Sequence, residues 1–504
     1  MRSAADNKTE HNDTYLVPRT PEGGSRDPSR LLAATVYLGG LYLLLFLVYL
    51  YHPQSRAARC ITFGAVLLFA VRGAFAIGNP QRHHRPWAFW KVARHVPPPA
   101  WRSGSRTVLS LAAQLTPIIA LALVFPIVGT RLAAVKFGHT SLSSVLLAAA
   151  LSVPWLAQIG CAPLYRAIGE DIYNNGPDAL VRSFLSRWPA VFLSSIPAVA
   201  VLDISFTIVF RWSRGASLAY LLFGVVSLAL TQWFVVPVME HRYWLWSVTW
   251  VTYALALLVA PRLYVLPPCA ALVVLVTAVV RRGASGHLAW TQGVGGRLFE
   301  GAVLGNLIWV NPLIAFFALG GQFHAAQIFL SLLPAVLLYN FYFVVNAPKV
   351  SDYFEKLQHT LQDDPVRSLF AARRALFAQA GRKIASIGTA MAAVAVLSLM
   401  IEMTLGPSEY RFYGAMTLCS IGFCLEAIFV SDLVVFRRNR FALTHSTIHF
   451  LAFAGVVALW GPSARLYEWT TAVEFLILAV LITMYVREIA EPEYALFWGR
   501  ATAW

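Results

Sequence analysis

Charge is what this chain has least of. Only 13% of its 504 residues are Asp, Glu, Lys or Arg, 58% are hydrophobic, and mean hydropathy is +0.62. Soluble domains carry about a quarter charged residues, so this composition excludes a water-soluble fold and points to a polytopic membrane protein. Cysteine is sparse as well. Cys60, Cys161, Cys269, Cys419 and Cys424 are scattered, mostly inside apolar runs, with no Cys-x-x-Cys. They read as packing residues, with neither a disulfide framework nor a cysteine metal site. No P-loop pattern occurs, so ATP is not held that way. The first 30 residues lack an apolar core, and the sequence predicts no cleavable signal peptide.

What is present is a series of apolar runs. Residues 1–30 are polar and read as a disordered cytoplasmic tail. Two runs follow, near 31–52 and 60–78, and then a basic, aromatic segment to residue 106 with Trp87, Phe89, Trp90 and Trp101. That composition suits contact with lipid headgroups better than with nucleic acid. Twelve further runs follow near 107–129, 140–165, 188–210, 215–238, 243–261, 263–280, 301–320, 325–346, 384–404, 411–436, 441–461 and 466–486. Each approaches the roughly 20 residues that a bilayer requires. The expected organisation is a 31–106 pair with its loop, a first lobe over 107–280, a linker over 281–300 and a second lobe over 301–504.

Loop charge supports this count. With the N-terminus inside and one crossing per run, the inside segments hold 30 of the 40 Lys and Arg residues, and the outside segments hold nine. The net charge of +16 is therefore read as the positive-inside bias. Both termini are expected in the cytoplasm.

The two lobes share a pattern. His139 to Leu185 matches His324 to Phe370 without a gap at a constant offset of 185 residues. Ala162-Pro163 pairs with Ala347-Pro348, Glu170 with Glu355, and Val181-Arg182-Ser183 with Val366-Arg367-Ser368. The offset spans six runs, an even number of crossings, so the repeats are expected to be parallel. Asp178 and Asp364 read as helix N-caps for the cytoplasmic segments that follow.

Polar residues inside apolar runs are the functional candidates, because a mid-membrane carboxylate costs about 2.5–3.5 kcal/mol on insertion scales. Asp203 lies deepest in its run; Glu426 and Glu474 also fall inside runs, while Glu402 and Asp432 lie near run ends, where they are expected to reach water. Amides and aromatics gather in the first two runs of each half: Gln114, Gln158, Trp155, Asn306, Trp309, Asn311, Tyr339, Asn340, Tyr342 and Asn346. Amides and ring faces are what sugar binding uses, although interhelical hydrogen bonding uses the same amides. The candidate substrate path is Asp203, Gln158, Asn311, Asn340 and Tyr342. Pro117, Pro126, Pro154, Pro312 and Pro334 in these runs are expected to kink their helices. His445 and His449 share a helix face but lack the further ligands of a metal site, and read as an aqueous-facing polar patch.

Two patches stand out: Ala162-Pro163-Leu164-Tyr165-Arg166-Ala167-Ile168-Gly169-Glu170-Asp171-Ile172-Tyr173, with Arg166, Glu170 and Tyr173 as a cytoplasmic motif, and Phe323 through Leu333-Pro334 to Tyr353-Phe354. In these the core resembles the PelG-type exopolysaccharide transporters of the multidrug/oligosaccharidyl-lipid/polysaccharide flippase superfamily. The likeness covers roughly 107–490. It implies an all-α membrane protein of twelve spans, two six-helix lobes around a cavity, and alternating access. It also implies a bacterial inner-membrane location, a polysaccharide or lipid-linked glycan substrate, membrane lipid as surroundings, and no cofactor. A cytosolic glycosyltransferase and other Pel-type inner-membrane subunits are the implied partners. Two features depart from the family: the N-terminal pair of spans, and Val435-Phe436-Arg437-Arg438, where no Asp follows Phe436.

Two alternatives stand beside this reading. A major-facilitator transporter also has parallel six-helix halves, but residues 166–188 lack its Gly-x-x-x-Asp-Arg-x-Gly-Arg-Arg loop. A membrane glycosyltransferase or acyltransferase usually carries a large outside loop, and every outside loop here is short.

Overall fold

The computed structural model describes residues 28–51, 56–78, 104–175, 179–240, 242–281, 294–320, 325–350, 352–354, 366–404, 407–436, 438–460 and 465–490. It is all-α apart from one two-stranded ribbon, Lys136–Phe137 against Thr140–Ser141. The helices are α1 (Pro28–Tyr51), α2 (Arg56–Gly78), α3 (Gly104–Ala134), α4 (Leu142–Asn175), α5 (Leu180–Phe210), α6 (Arg214–Trp233), the short α7 (Val235–Met239), α8 (Tyr243–Val259) and α9 (Leu266–Val280). The second half holds α10 (Val294–Leu319), α11 (Ala325–Phe341), α12 (Val366–Glu402), α13 (Pro407–Val435), α14 (Asn439–Trp460) and α15 (Leu466–Ala490). Every apolar run of the sequence falls on one of these helices. Among the described residues eight helices are long and apolar enough to cross a membrane, two more qualify as bent pairs, and four apolar helices are shorter.

The side chains on the outside are those a lipid solvent favours. Leu193, Val201, Ile204 and Ile208 line the exposed face of α5, and Leu397, Met400 and Ile401 that of α12.

Two six-helix lobes follow one packing plan. In the first, α3 packs on α8, α4 on α5 and α6, α5 on α6, α6 on α9, and α8 on α9. In the second, the same six pairs recur one for one: α10 on α14, α11 on α12 and α13, α12 on α13, α13 on α15, and α14 on α15. The opening helix of each lobe is bent alike. Leu111–Phe125 meets Ile127–Ala134 at 66°, and Val294–Trp309 meets Asn311–Ala318 at 68°. Pro126 and Pro312 stand at these breaks. Proline has no N–H to donate and its ring crowds the carbonyl four residues back, which forces the helix open. Asn311 donates its side-chain amide to the Leu307 carbonyl at 3.2 Å, next to the second break.

The lobes meet most closely where α4 crosses α10. Gly301 and Gly305 make that approach possible. A Cβ on Gly301 would lie 2.6 Å from the Gln158 carbonyl, and one on Gly305 would lie 2.6 Å from the Gln158 Cβ. Small residues spaced by four let membrane helices pack backbone to backbone. Trp155 Nε1 donates to the Ala302 carbonyl at 2.9 Å, and Arg166 Nη1 lies 3.3 Å from Glu300 Oε2.

The N-terminal pair belongs to the second lobe. α1 packs on α12, α13 and α15, and α2 on α12. Tyr37, Tyr42 and Tyr49 are buried there, lying over Gly388, Gly422 and Gly414 respectively. Tyr42 donates to the Leu418 carbonyl at 2.9 Å.

Several expectations need adjustment. α10 begins at Val294, so the last residues of the expected 281–300 linker are helical. Lys383 falls between the 325–346 and 384–404 runs, among the charges expected inside, but it lies within α12 and is fully buried. The remaining loop bias is unaffected. Asp178, Asp364, Glu355 and His324 fall outside the described residues, as do the 1–27 tail and most of the basic segment.

Candidate functional site

α13 is the most enclosed of the spanning helices, and polar side chains are spaced along it: Thr417, Glu426 and Asp432, over about 22 Å of helix at 1.5 Å per residue. Each meets a buried partner from another helix. Burying an ion costs several kcal/mol unless it is paired, so three buried clusters on one helix require a physical account.

At one end, Thr417 donates to Glu402 Oε1 on α12 at 2.5 Å. At the other end, Asp432 accepts from Lys383 of α12, from Tyr342, and from the Tyr485 hydroxyl of α15 at 2.6 Å. The Lys383 ammonium also lies 5.0 Å from the Phe429 ring centroid and 4.7 Å from that of Tyr485. This set is complete: charge is balanced, and aromatic faces surround the cation. Tyr342 opens a π-helical turn, Tyr342–Asn346, in which the Ala347 N–H bonds back to the Tyr342 carbonyl. Pro348 follows directly, and the wider turn accommodates a proline that cannot donate to residue 344.

Between these ends lies the third cluster. Glu426 on α13, His445 and His449 on α14, and Glu474 on α15 converge. His449 Nδ1 stands 2.8 Å from Glu426 Oε2 and 3.4 Å from Glu474 Oε2, and His445 Nε2 stands 3.3 Å from Glu426 Oε2. All four side chains are buried, none more than 7% exposed. The i, i+4 spacing of the histidines puts both on the face of α14 that meets α13. Phe423 sets its ring edge-on to His449 at 4.7 Å. The donor atoms of Glu426, His449 and Glu474 lie within 4.8 Å of one another, close enough to hold a metal ion.

This corrects three expectations. The histidines do not form an aqueous-facing patch; they point into the lobe, where Glu426 of α13 and Glu474 of α15 meet them. Glu402 and Asp432 do not reach water, being 2% and 1% exposed. Their positions near run ends misled because side chains from other helices meet them there, Thr417 at Glu402 and Lys383, Tyr342 and Tyr485 at Asp432.

The five residues of the expected substrate path lie in separate surroundings. Asp203 is buried between α5 and α6, where Ser217 donates to its Oδ2 at 2.5 Å. Gln158 is half-buried in the α4–α10 seam. Asn311 sits at the α10 break, and Asn340 donates to the Val336 carbonyl of its own helix at 2.8 Å. Tyr342 belongs to the Asp432 cluster. Of the cytoplasmic motif, Arg166 makes the seam contact with Glu300, and the Glu170 and Tyr173 side chains lie outside the described residues. Asp171, which the motif reading did not single out, accepts from Arg187 Nη2 at 2.8 Å and from Ser183 at 2.5 Å, tying α4 to α5.

The chain is thus an all-α polytopic membrane protein of two similarly packed six-helix lobes, an architecture compatible with a transporter. Comparisons with protein-family models, with curated proteins and with solved structures find no match.

Proposed function

We propose that this protein is an inner-membrane transporter that exports a polysaccharide or lipid-linked glycan by alternating access, acting as a carrier and not as an enzyme. The observation that carries the transport reading is the pair of equivalent bent helices, α3 and α10, opening two lobes of one packing plan. Interrupted helices in corresponding halves are a hallmark of carriers whose lobes rock about a shared site. The glycine-lined α4–α10 seam is where such rocking would open and close the path.

The glycan rests on sequence: the amides and aromatics of the first two runs in each half, and the resemblance of Ala162–Tyr173 and Phe323–Phe354 to PelG-type transporters. A long hydroxyl-rich chain passes by exchanging many weak hydrogen bonds with such groups. The cytosolic glycosyltransferase belongs to the same proposal, because a glycan must be made before it is exported.

The test is deletion of the gene and complementation, with polysaccharide measured outside the cell and lipid-linked glycan measured inside. Loss of external polymer, with precursor accumulating and export restored by the intact gene, is the expected result. Unchanged export of every cell-surface glycan would overturn the proposal.

A further inference from the structure

We propose that Glu426, His449 and Glu474 form a three-ligand site for a divalent transition metal of the zinc class, binding α13, α14 and α15 together. The proposal stands apart from the transport reading and does not depend on it.

Three observations carry it. The first is spacing. Zinc bonds of about 2.0–2.1 Å to nitrogen and oxygen place tetrahedral ligand atoms about 3.3 Å apart. His449 Nδ1 stands 2.8 Å from Glu426 Oε2 and 3.4 Å from Glu474 Oε2, and one ligand atom from each of the three residues lies within 4.8 Å of the others. The second is direction. His445 Nε2, His449 Nδ1 and Nε2, both Glu426 oxygens and Glu474 Oε1 are buried and make no hydrogen bond. Nitrogen and oxygen atoms stand within bonding distance of one another. Buried polar atoms are otherwise almost always hydrogen-bonded, and lone pairs converging on one point are what a cation organises. The third is charge. With the imidazoles neutral, as metal ligation requires, two ionised carboxylates carry two negative charges, which one divalent ion cancels. Lys383 cannot do so, because Asp432 holds it about 9 Å further along α13.

The surroundings enclose the site, with protein filling three positions and the fourth left to a small ligand such as water. Phe423 covers the His449 face, and Tyr42 and Gly422 close the side toward α1, where a Cβ on Gly422 would strike Glu474 Cγ at 2.7 Å. The ligand types, imidazole with carboxylate, suit zinc and its neighbours better than calcium or magnesium, which take all-oxygen shells.

The experiment uses the full chain in detergent. Metal content is measured by mass spectrometry after purification without chelator, and the chelated protein is then titrated with Co2+. The expected result is one equivalent of metal per chain, the intense visible absorption of tetrahedral Co2+, and a rise in thermal midpoint when Zn2+ is added back. His449→Gln and Glu474→Gln should each weaken Co2+ binding at least about tenfold, and Asp171→Asn should leave it intact. Because either ligand variant can misfold, His449→Cys supplies a second arm: it should bind Co2+ and add a thiolate-to-metal charge-transfer band. Absence of stoichiometric metal, with no Co2+ spectrum from the unaltered chain, would overturn the proposal. So would a midpoint that responds to pH alone, leaving the cluster as carboxylates and imidazoles that share protons.

Discussion

Lys383 and Asp432 face one another with neither side chain reaching solvent, 0% and 1% exposed. Removing one partner from such a pair strands the other as an uncompensated charge. Lys383→Met is expected to destabilise the second lobe by about 3–5 kcal/mol. Lys383→Met combined with Asp432→Leu should recover most of that loss, because the buried charge is then gone. Thermal unfolding in detergent checks both. A single variant as stable as the parent would show that the pair is hydrated.

The seam gives a second prediction. A side chain at Gly305 meets Gln158 at once, whereas a Cβ on Gly169 has nothing within 4 Å. Gly305→Leu should therefore hold α4 and α10 apart and abolish export while the protein still inserts, and Gly169→Ala should be silent. Normal export by Gly305→Leu would mean that the seam does not close during the cycle.

The N-terminal pair should act as part of the second lobe. Tyr42→Phe removes a buried hydrogen bond and should cost about 0.5–1.5 kcal/mol. Gly422→Ala should cost about 1–3 kcal/mol, since its Cβ overlaps Tyr42 Oη at 2.8 Å and Glu474 Cγ at 2.7 Å. Chemical unfolding followed by a reporter in α13 distinguishes them. Equal stability in all three proteins would place α1 elsewhere in the membrane.

Topology is testable at the short connections. Arg211, the left-handed residue that ends α5 (φ 52°), is expected outside, and Glu240, after α7, inside. Cysteines introduced there should be labelled by impermeant reagent from opposite sides. Labelling of both from one face would break the alternating count.

Asp203 tests the glycan path. Asp203→Asn keeps the side-chain shape beside Ser217 and removes the charge. If the carboxylate meets substrate or a coupling cation, export falls at normal protein level. Unchanged export would leave Asp203 as a pin between α5 and α6.

The fold was legible to different depths in different places. Apolar runs located the helices because a bilayer imposes length and composition on each span separately. The Pro126 and Pro312 breaks were readable for the same reason: a missing N–H acts within its own helix. The buried clusters were not readable. His445 and His449 announced one helix face, but Glu426 lies 19 residues before the first of them and Glu474 lies 25 residues after the second, on two other helices. No local periodicity links such positions.

The sequence by itself determined that this is a helical membrane protein and where its apolar helices fall. Those properties follow from solvent and backbone chemistry acting on one segment at a time. Only the tertiary structure decided which polar side chains meet. It turned Lys383 from a loop charge into the buried partner of Asp432, and it gathered two histidines and two glutamates from three helices. The physical reason is that a buried charge is tolerated only where another helix supplies its complement, and that complement is set by helix packing and not by neighbours in the chain.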